Sequence, residues 1–154
     1  MKNITRGAEK TKNMKTMSRI YVLDACALIA LLTDEEGADK VARIYKNAGM
    51  EGDKIIMNAV NLLEVYYDFY RAYDKKTADE MFAFVEASAV GIVTELDRAV
   101  LTEAGRMKAC YKISLADSIA LSQAKAADGI LLTSDHHEFD AIEGKEPVKF
   151  MWIR

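Results

Sequence analysis

The fold is decided by one stretch, Arg19-Ile20-Tyr21-Val22-Leu23-Asp24-Ala25-Cys26-Ala27-Leu28-Ile29-Ala30-Leu31-Leu32. Residues 20–23 form a short apolar run typical of a buried strand, and residues 25–32 have the composition of a buried helix. A single carboxylate, Asp24, lies at the junction, and burying its charge is costly unless something compensates it. Asp24 therefore either caps the following helix or binds a metal ion. Considered alone, capping is the more common role.

The composition limits the class of protein. The 154 residues, 51% of them hydrophobic and 29% charged, suffice for one globular domain with a sizeable core. No apolar run approaches the ~20 residues of a membrane-spanning helix, and the first residues lack the apolar segment of a signal peptide. Cys26 and Cys110 are too far apart for a C-x-x-C motif. We therefore expect a cytoplasmic protein with no membrane association.

The charge divides the chain into two parts. Residues 1–17 have a net charge of +4 and no apolar periodicity, which predicts a basic, disordered leader. Alternatively, the sequence is over-extended and truly begins at Met14 or Met17. Residues 18–154 have a net charge of −7 and form the predicted globular domain. An acidic domain lacks the broad basic surface of a nucleic-acid-binding protein, so a function on nucleic acid requires metal ions or local cationic patches.

Short apolar runs alternate with helical patterns along the rest of the domain. The predicted strands are 20–23, 54–57, 90–93, 129–133 and 148–153, and the predicted helices are 25–32, 34–47, 58–73, 75–87, 97–108 and 114–127. A capping-box pattern at 33–36 predicts the start of the second helix, Asn58 or Asn61 that of the third, and Thr94 or Asp97 that of the fifth. This alternation indicates a three-layer α/β/α fold with a short, mainly parallel central sheet.

Four acids are predicted to share one edge of that sheet. Asp24 and Asp135 follow strands, while Glu64 and Asp117 lie in the first turns of helices that begin near the same edge. Ligands of open parallel sheets bind outside the carboxyl ends of the strands. Because like charges repel each other, a gathering of carboxylates favours a hard divalent cation, Mg²⁺ or Mn²⁺.

Each of these acids also has a purely structural interpretation. Asp117 lies at the capping-box position of a helix that begins after Ser114, and Glu64 has the same spacing from Asn61. Asp135 is suited to a turn or a helix N-cap. Only the shared placement of the acids at one sheet edge favours the metal site.

Four segments in sequence order carry a further signal: 22–30, 61–65, 114–120 and 131–139. Together they resemble the PIN-domain nucleases, and most closely the toxin subunits of VapBC-type toxin–antitoxin pairs, over residues 18–154. The resemblance implies a PIN-like fold and a metal-dependent endoribonuclease that hydrolyses RNA. There are two departures: Cys26 stands where the family often has Ser or Asn, and Lys112 stands where it often has Gly.

The resemblance also implies the site residues. Asp24, Glu64, Asp117 and Asp135 would be the catalytic acids, and Asp24, Asp117 and Asp135 would hold Mg²⁺ or Mn²⁺, with Glu64 as a ligand or acting through water. Thr133 matches a position at which the family often has a hydroxyl beside the site.

Partners are expected as well. The resemblance implies an RNA substrate and a cognate antitoxin whose basic tail occupies the acidic site. Four tyrosines at residues 66, 67, 70 and 73 are dense for one helix, and some are expected to face a homodimer mate, an antitoxin helix or stacked bases. The candidate phosphate contacts are Arg71, Lys75, Lys76, Arg106, Lys108 and Lys112.

Two other classes of function fit part of the pattern. A catalytically silent PIN-like module would bind RNA or protein, although the presence of all four acids argues against it. A different Mg²⁺-dependent phosphoryl enzyme, of the haloacid dehalogenase type, usually has a second acid two residues after the first. Here that position is Cys26.

Overall fold

The structure is a computed structural model that describes residues 18–154. The predicted leader, residues 1–17, lies outside the described residues. The elements are β1 (Ile20–Leu23), α1 (Ala25–Thr33), α2 (Ala38–Glu51), β2 (Lys54–Asn58), α3 (Ala59–Ala72), α4 (Lys75–Glu86), β3 (Val90–Val93), α5 (Arg98–Cys110), α6 (Leu115–Ala126), β4 (Ile130–Thr133), α7 (His136–Phe139) and β5 (Lys149–Trp152). None of the helices within 18–154 is long and apolar enough to cross a membrane.

The five strands form one sheet in the order β3-β2-β1-β4-β5, and every neighbouring pair is parallel. The predicted three-layer α/β/α fold is confirmed. Strand β1 is central, and Leu23 at its end lies opposite Met57 of β2 and Leu132 of β4. The strand order reverses between β1 and β4, which is where ligands of open α/β sheets bind.

Alternating side chains of β1 serve two separate cores. Tyr21 and Leu23 point to the face covered by α1 to α4, and Val22 points to the face covered by α5, α6 and α7. Leu28 of α1 lies in the first core and Leu121 of α6 in the second; both are fully buried. Both faces of β1 are therefore shielded from water, and so is Asp24, which follows the strand.

The predicted start of the second helix is wrong. Helix α1 continues to Thr33, Asp34 adopts a left-handed conformation (φ 55°), and α2 begins at Ala38 after Gly37 (φ 93°). A Cβ atom on Gly37 would lie 2.6 Å from the carbonyl oxygen of Ile153. This close approach, together with the positive φ, requires glycine and overrides the capping-box pattern at 33–36.

The structure also decides between alternative caps. Asn58, not Asn61, caps α3 by accepting a hydrogen bond from Val60 N at 2.9 Å. Asp97, not Thr94, caps α5. Residues 136–139 form the short helix α7, and Asp135 is its N-cap, one of the two structural roles expected of it. The remaining elements begin and end within a few residues of their predicted bounds, and Asn61 is left without its expected role.

Candidate metal centre

Asp24 is both a helix cap and a buried acid with one free oxygen. Its side chain is 1% exposed, because both elements that it joins are packed in the core. Oδ1 accepts a hydrogen bond from Ala27 N at 2.7 Å and so caps α1. Oδ2 is buried and has no hydrogen-bond partner among the described residues. The capping interpretation is therefore correct for one oxygen and leaves the other available, at a typical cost of about 1–3 kcal/mol.

The surroundings of Asp24 disfavour its charge. The pKa of its carboxyl group is raised to about 7, mainly by burial and to a smaller extent by the charges of Asp117 and Asp135. The hydroxyl of Thr133 and the amide of Ala27 act in the opposite direction. Thr133 is itself fully buried, and its Oγ1 accepts a hydrogen bond from Asp135 N at 2.9 Å. Thr133 thus lies beside the acids, at the position that the sequence predicted.

Asp117 is held in place by the residue that caps its own helix. Its amide donates to Oγ of Ser114 at 3.0 Å, and its Oδ2 accepts a hydrogen bond from the Ser114 hydroxyl. Burial is the main reason why the pKa of Asp117 is raised to about 6, and the charges of Asp135 and Glu138 add to it. The hydrogen bond from Ser114 lowers the pKa.

Asp135 and Glu64 complete the predicted set. Asp135 caps α7, because its Oδ1 accepts from Glu138 N at 3.0 Å. Glu64 lies in α3, where partial burial and the charges of Asp117 and Asp135 raise its pKa. The hydroxyl of Tyr67 donates to Oε1 of Glu64 at 3.4 Å. The charges of Asp117 and Asp135 act on both Asp24 and Glu64, so the four acids lie along the same carboxyl edge of the sheet.

Glu138 is a fifth acid at this edge that the sequence reasoning missed. Its Oε2 accepts a hydrogen bond from Ser114 N at 2.8 Å, and its charge raises the pKa of Asp117. The spacing Asp135-x-x-Glu138 fits a capping box, which was the available signal. However, Glu138 accepts its hydrogen bond from Ser114, the residue that caps α6, and the sequence pattern does not reveal this contact between two helix starts.

Cys26 lies near the same acids as a neutral thiol. Burial raises the pKa of its thiol to about 12, and the charges of Asp24, Asp135 and Asp117 contribute. A thiolate is the form that binds metals and attacks substrates. The thiol of Cys26 is thus neither a ready metal ligand nor a nucleophile near neutral pH.

The donor atoms at this edge fit a hard cation. Within residues 18–154, no three His, Cys, Asp or Glu side chains lie close enough together to hold a metal ion as they stand. The edge is nevertheless rich in carboxylate oxygens, which Mg²⁺ and Mn²⁺ prefer, and it includes the unpartnered buried Oδ2 of Asp24. The two histidines, His136 and His137, are exposed. The residues therefore fit Mg²⁺ or Mn²⁺ better than an ion that needs sulfur or nitrogen ligands.

Fold and site together define an α/β protein with an acidic centre at the carboxyl edge of a parallel sheet. The model of the PIN domain family matches residues 21–145. The chain belongs to the PIN domain family, as the resemblance in sequence indicated. A search of curated proteins found no significant match.

Solved structures with the same fold include toxin–antitoxin proteins. VapBC2 from Rickettsia felis, bound to a DNA fragment from its promoter, is 16% identical with a TM-score of 0.65, covering 86% of this chain and 97% of that chain. VapBC-1 from nontypeable Haemophilus influenzae is 16% identical with a TM-score of 0.64, covering 87% and 98%. VapC20 from Mycobacterium tuberculosis, a toxin that cleaves the sarcin-ricin loop, is 11% identical with a TM-score of 0.56, covering 72% and 86%. At these identities the likeness establishes the fold.

The buried charge of Asp24 predicts a pH-dependent effect of Asp24→Asn on stability. Because the pKa of Asp24 is about 7 in the folded protein and 3.8 ordinarily, the native carboxyl group binds its proton more tightly. The protonated carboxyl group therefore contributes to stability at low pH, and this contribution is lost as the pH rises from about 4 to about 7. Asparagine keeps the cap and carries no charge. We expect Asp24→Asn to raise the free energy of unfolding by about 2 kcal/mol or more at about pH 8, below a ceiling of about 4 kcal/mol.

Urea unfolding in the presence of a chelator measures this effect. Near pH 4 the wild type is protonated at Asp24, so the variant and the wild type should be equally stable. Asp97→Asn, which changes the exposed cap of α5, is the control and should alter the free energy of unfolding by less than about 0.5 kcal/mol at either pH. A stabilisation by Asp24→Asn of the same size at both pH values would contradict this assignment.

Proposed function

We propose that this chain is a Mg²⁺- or Mn²⁺-dependent endoribonuclease that hydrolyses RNA phosphodiester bonds, and that it acts in the cytoplasm as the toxin of a toxin–antitoxin pair. The observation that carries the proposal is the unpartnered buried oxygen of Asp24 among the charges of Asp117 and Asp135, in a PIN domain. Such an arrangement costs stability, and a divalent ion would remove that cost.

The proposed mechanism assigns each acid a part. Asp24, Asp117 and Asp135 would hold the ion, and Glu64 would contact it directly or through water. When bound, a divalent ion activates water for attack on a phosphodiester and stabilises the charge that develops on the phosphate. The Ala27 amide keeps Asp24 oriented.

Arg71 is the best placed of the candidate phosphate contacts. Four of the six expected cations are engaged elsewhere: Lys75 with Asp79, Lys76 with Glu80, Arg106 with Glu103 and Glu146, and Lys108 with the carbonyl oxygen of Ile113. The Arg71 guanidinium lies 4.7 Å from the centroid of the Tyr67 ring, and the Tyr67 hydroxyl contacts Glu64. One face of α3 therefore presents a cation about two helical turns after Glu64, on the side along which an RNA backbone would pass.

For the antitoxin we propose the groove between α3 and α4. This groove has a volume of about 580 Å³. Its lining combines apolar side chains with two carboxylates: Leu63, Tyr66, Phe82 and Ala83, with Asp79 and Glu86. Its chemistry suits an apolar helix flanked by basic residues, which also complements the net charge of −7 on residues 18–154. The toxin–antitoxin complexes among the similar structures support a partner of this kind.

For the homodimer we propose a hollow formed by α3, α5 and α6. It has a volume of about 570 Å³ and is lined mainly by apolar residues. Leu101 and Leu115 at this hollow are 52% and 60% exposed. A two-fold interface must be complementary to itself, and protruding leucines beside an apolar hollow meet that requirement.

Cleavage assays separate the enzyme from the silent RNA- or protein-binding module. The wild type should degrade RNA with Mg²⁺ or Mn²⁺ and stop when a chelator is added. Asp24→Asn should lose at least about 100-fold in rate, because one ligand of the ion loses its charge. Asp97→Asn should cleave like the wild type. Metal-dependent cleavage by Asp24→Asn would refute the assignment of Asp24, and a wild type that binds RNA without cleaving it would support the silent module.

The antitoxin surface is tested by a pair of neighbouring substitutions in α4. Ala83 lines the groove, whereas Phe84 is exposed and does not line it. Ala83→Arg should therefore weaken binding of the small protein encoded by the adjacent gene at least about tenfold, measured by calorimetry, and Phe84→Arg should not. If that protein fails to bind the wild type, it is not the antitoxin; equal weakening by both variants would place it elsewhere.

The dimer surface is tested by sedimentation velocity. Leu101→Glu should convert a dimer into a monomer, because it places a charge in the apolar hollow. Thr102→Glu, at the next position of α5, does not line the hollow and should leave the dimer intact. A wild type that sediments as a monomer at micromolar concentration would contradict the homodimer.

A further inference from the structure

Asn61 connects two helices at the acidic edge instead of capping one. Its side chain is fully buried, and the cap of α3 is supplied by Asn58. Nδ2 of Asn61 donates a hydrogen bond to the carbonyl oxygen of Ala116, at 3.1 Å, in the first turn of α6. This bond joins two segments that are far apart in the sequence.

The bond lies between two of the acids. Glu64 is three residues after Asn61 and is therefore its neighbour on the surface of α3. Asp117 directly follows Ala116 in α6. The Asn61 amide thus connects α3 with α6. Its end on α3 lies one turn before Glu64, and its end on α6 lies one residue before Asp117. A shift of one helix start against the other would therefore separate these two carboxylates.

The oxygen of the Asn61 side chain lowers the stability of the fold. Oδ1 is buried and has no hydrogen-bond partner among the described residues. An unpaired buried acceptor lowers stability, whereas an apolar group of similar shape avoids that penalty. If the position only had to fill space, leucine would serve it better than asparagine. The amide donor is what distinguishes asparagine here.

We propose that Asn61 is a positioning residue of the acidic site, and that its amide holds the start of α6 against α3 so that Glu64 and Asp117 reach the same divalent ion. This inference rests on the proposed function, in which those acids bind or face the ion. It assigns Asn61 no contact with the ion or with RNA.

The test is Asn61→Leu, examined by Mn²⁺ calorimetry on the full chain and by urea unfolding in a chelator. Leucine removes the donor and the unpaired acceptor together. The Mn²⁺ dissociation constant should rise about tenfold or more, while stability stays equal or increases. Ser122→Ala is the matched control, since Ser122 is a buried donor within α6 that bonds to the carbonyl oxygen of Ser118. It should lower stability and leave Mn²⁺ affinity unchanged.

The outcomes distinguish this inference from the proposed function. If the wild type binds no Mn²⁺ and cleaves no RNA, the proposed function is wrong. If the wild type binds Mn²⁺ and Asn61→Leu binds it equally well, only the positioning role is refuted. Should Asn61→Leu fail to fold, Asn61→Ala removes the same donor without adding bulk. That variant should show the same loss of Mn²⁺ affinity, and unchanged affinity would again refute the role.

Discussion

The carboxylate of Asp24 is withdrawn from water because the strand before it and the helix after it are both packed in the core. A charge in that position needs compensation. The Ala27 amide supplies part of it, and the Thr133 hydroxyl also favours the charged form. The remaining oxygen has no partner, and other carboxylates lie near it. Much of the site can be understood as a response to this one buried group.

The parallel sheet places other carboxylates at the same edge as Asp24. All five strands run in the same direction, so helix starts after β1, β2 and β4 meet at one edge. Asp24 and Asp135 follow the two strands between which the strand order reverses. Capping and ligation are not mutually exclusive for these residues. Asp24 caps α1 with one oxygen, and its second oxygen has no hydrogen-bond partner among the described residues.

Strands, layers and the gathering of acids could be predicted from sequence, because they follow from apolar runs and strand ends. The details that depend on distant contacts could not. The start of α2 is set by the close approach of Gly37 to Ile153, which no local pattern reveals. Asn58 and Asn61 were equivalent candidates for one cap until the contact with Ala116 separated them. Glu138 likewise acquires its significance only from its bond to Ser114.

The three aspartates share one further property. Each has one carboxylate oxygen engaged at its own helix start: Asp24 by Ala27, Asp117 by Ser114 and Asp135 by Glu138. In the proposed function, the second oxygen of each aspartate would hold the divalent ion, while the hydrogen bond to the first oxygen keeps the side chain in place. Because Mg²⁺ parts with its water reluctantly, an ion held by so few protein oxygens would keep the water that a hydrolysis consumes.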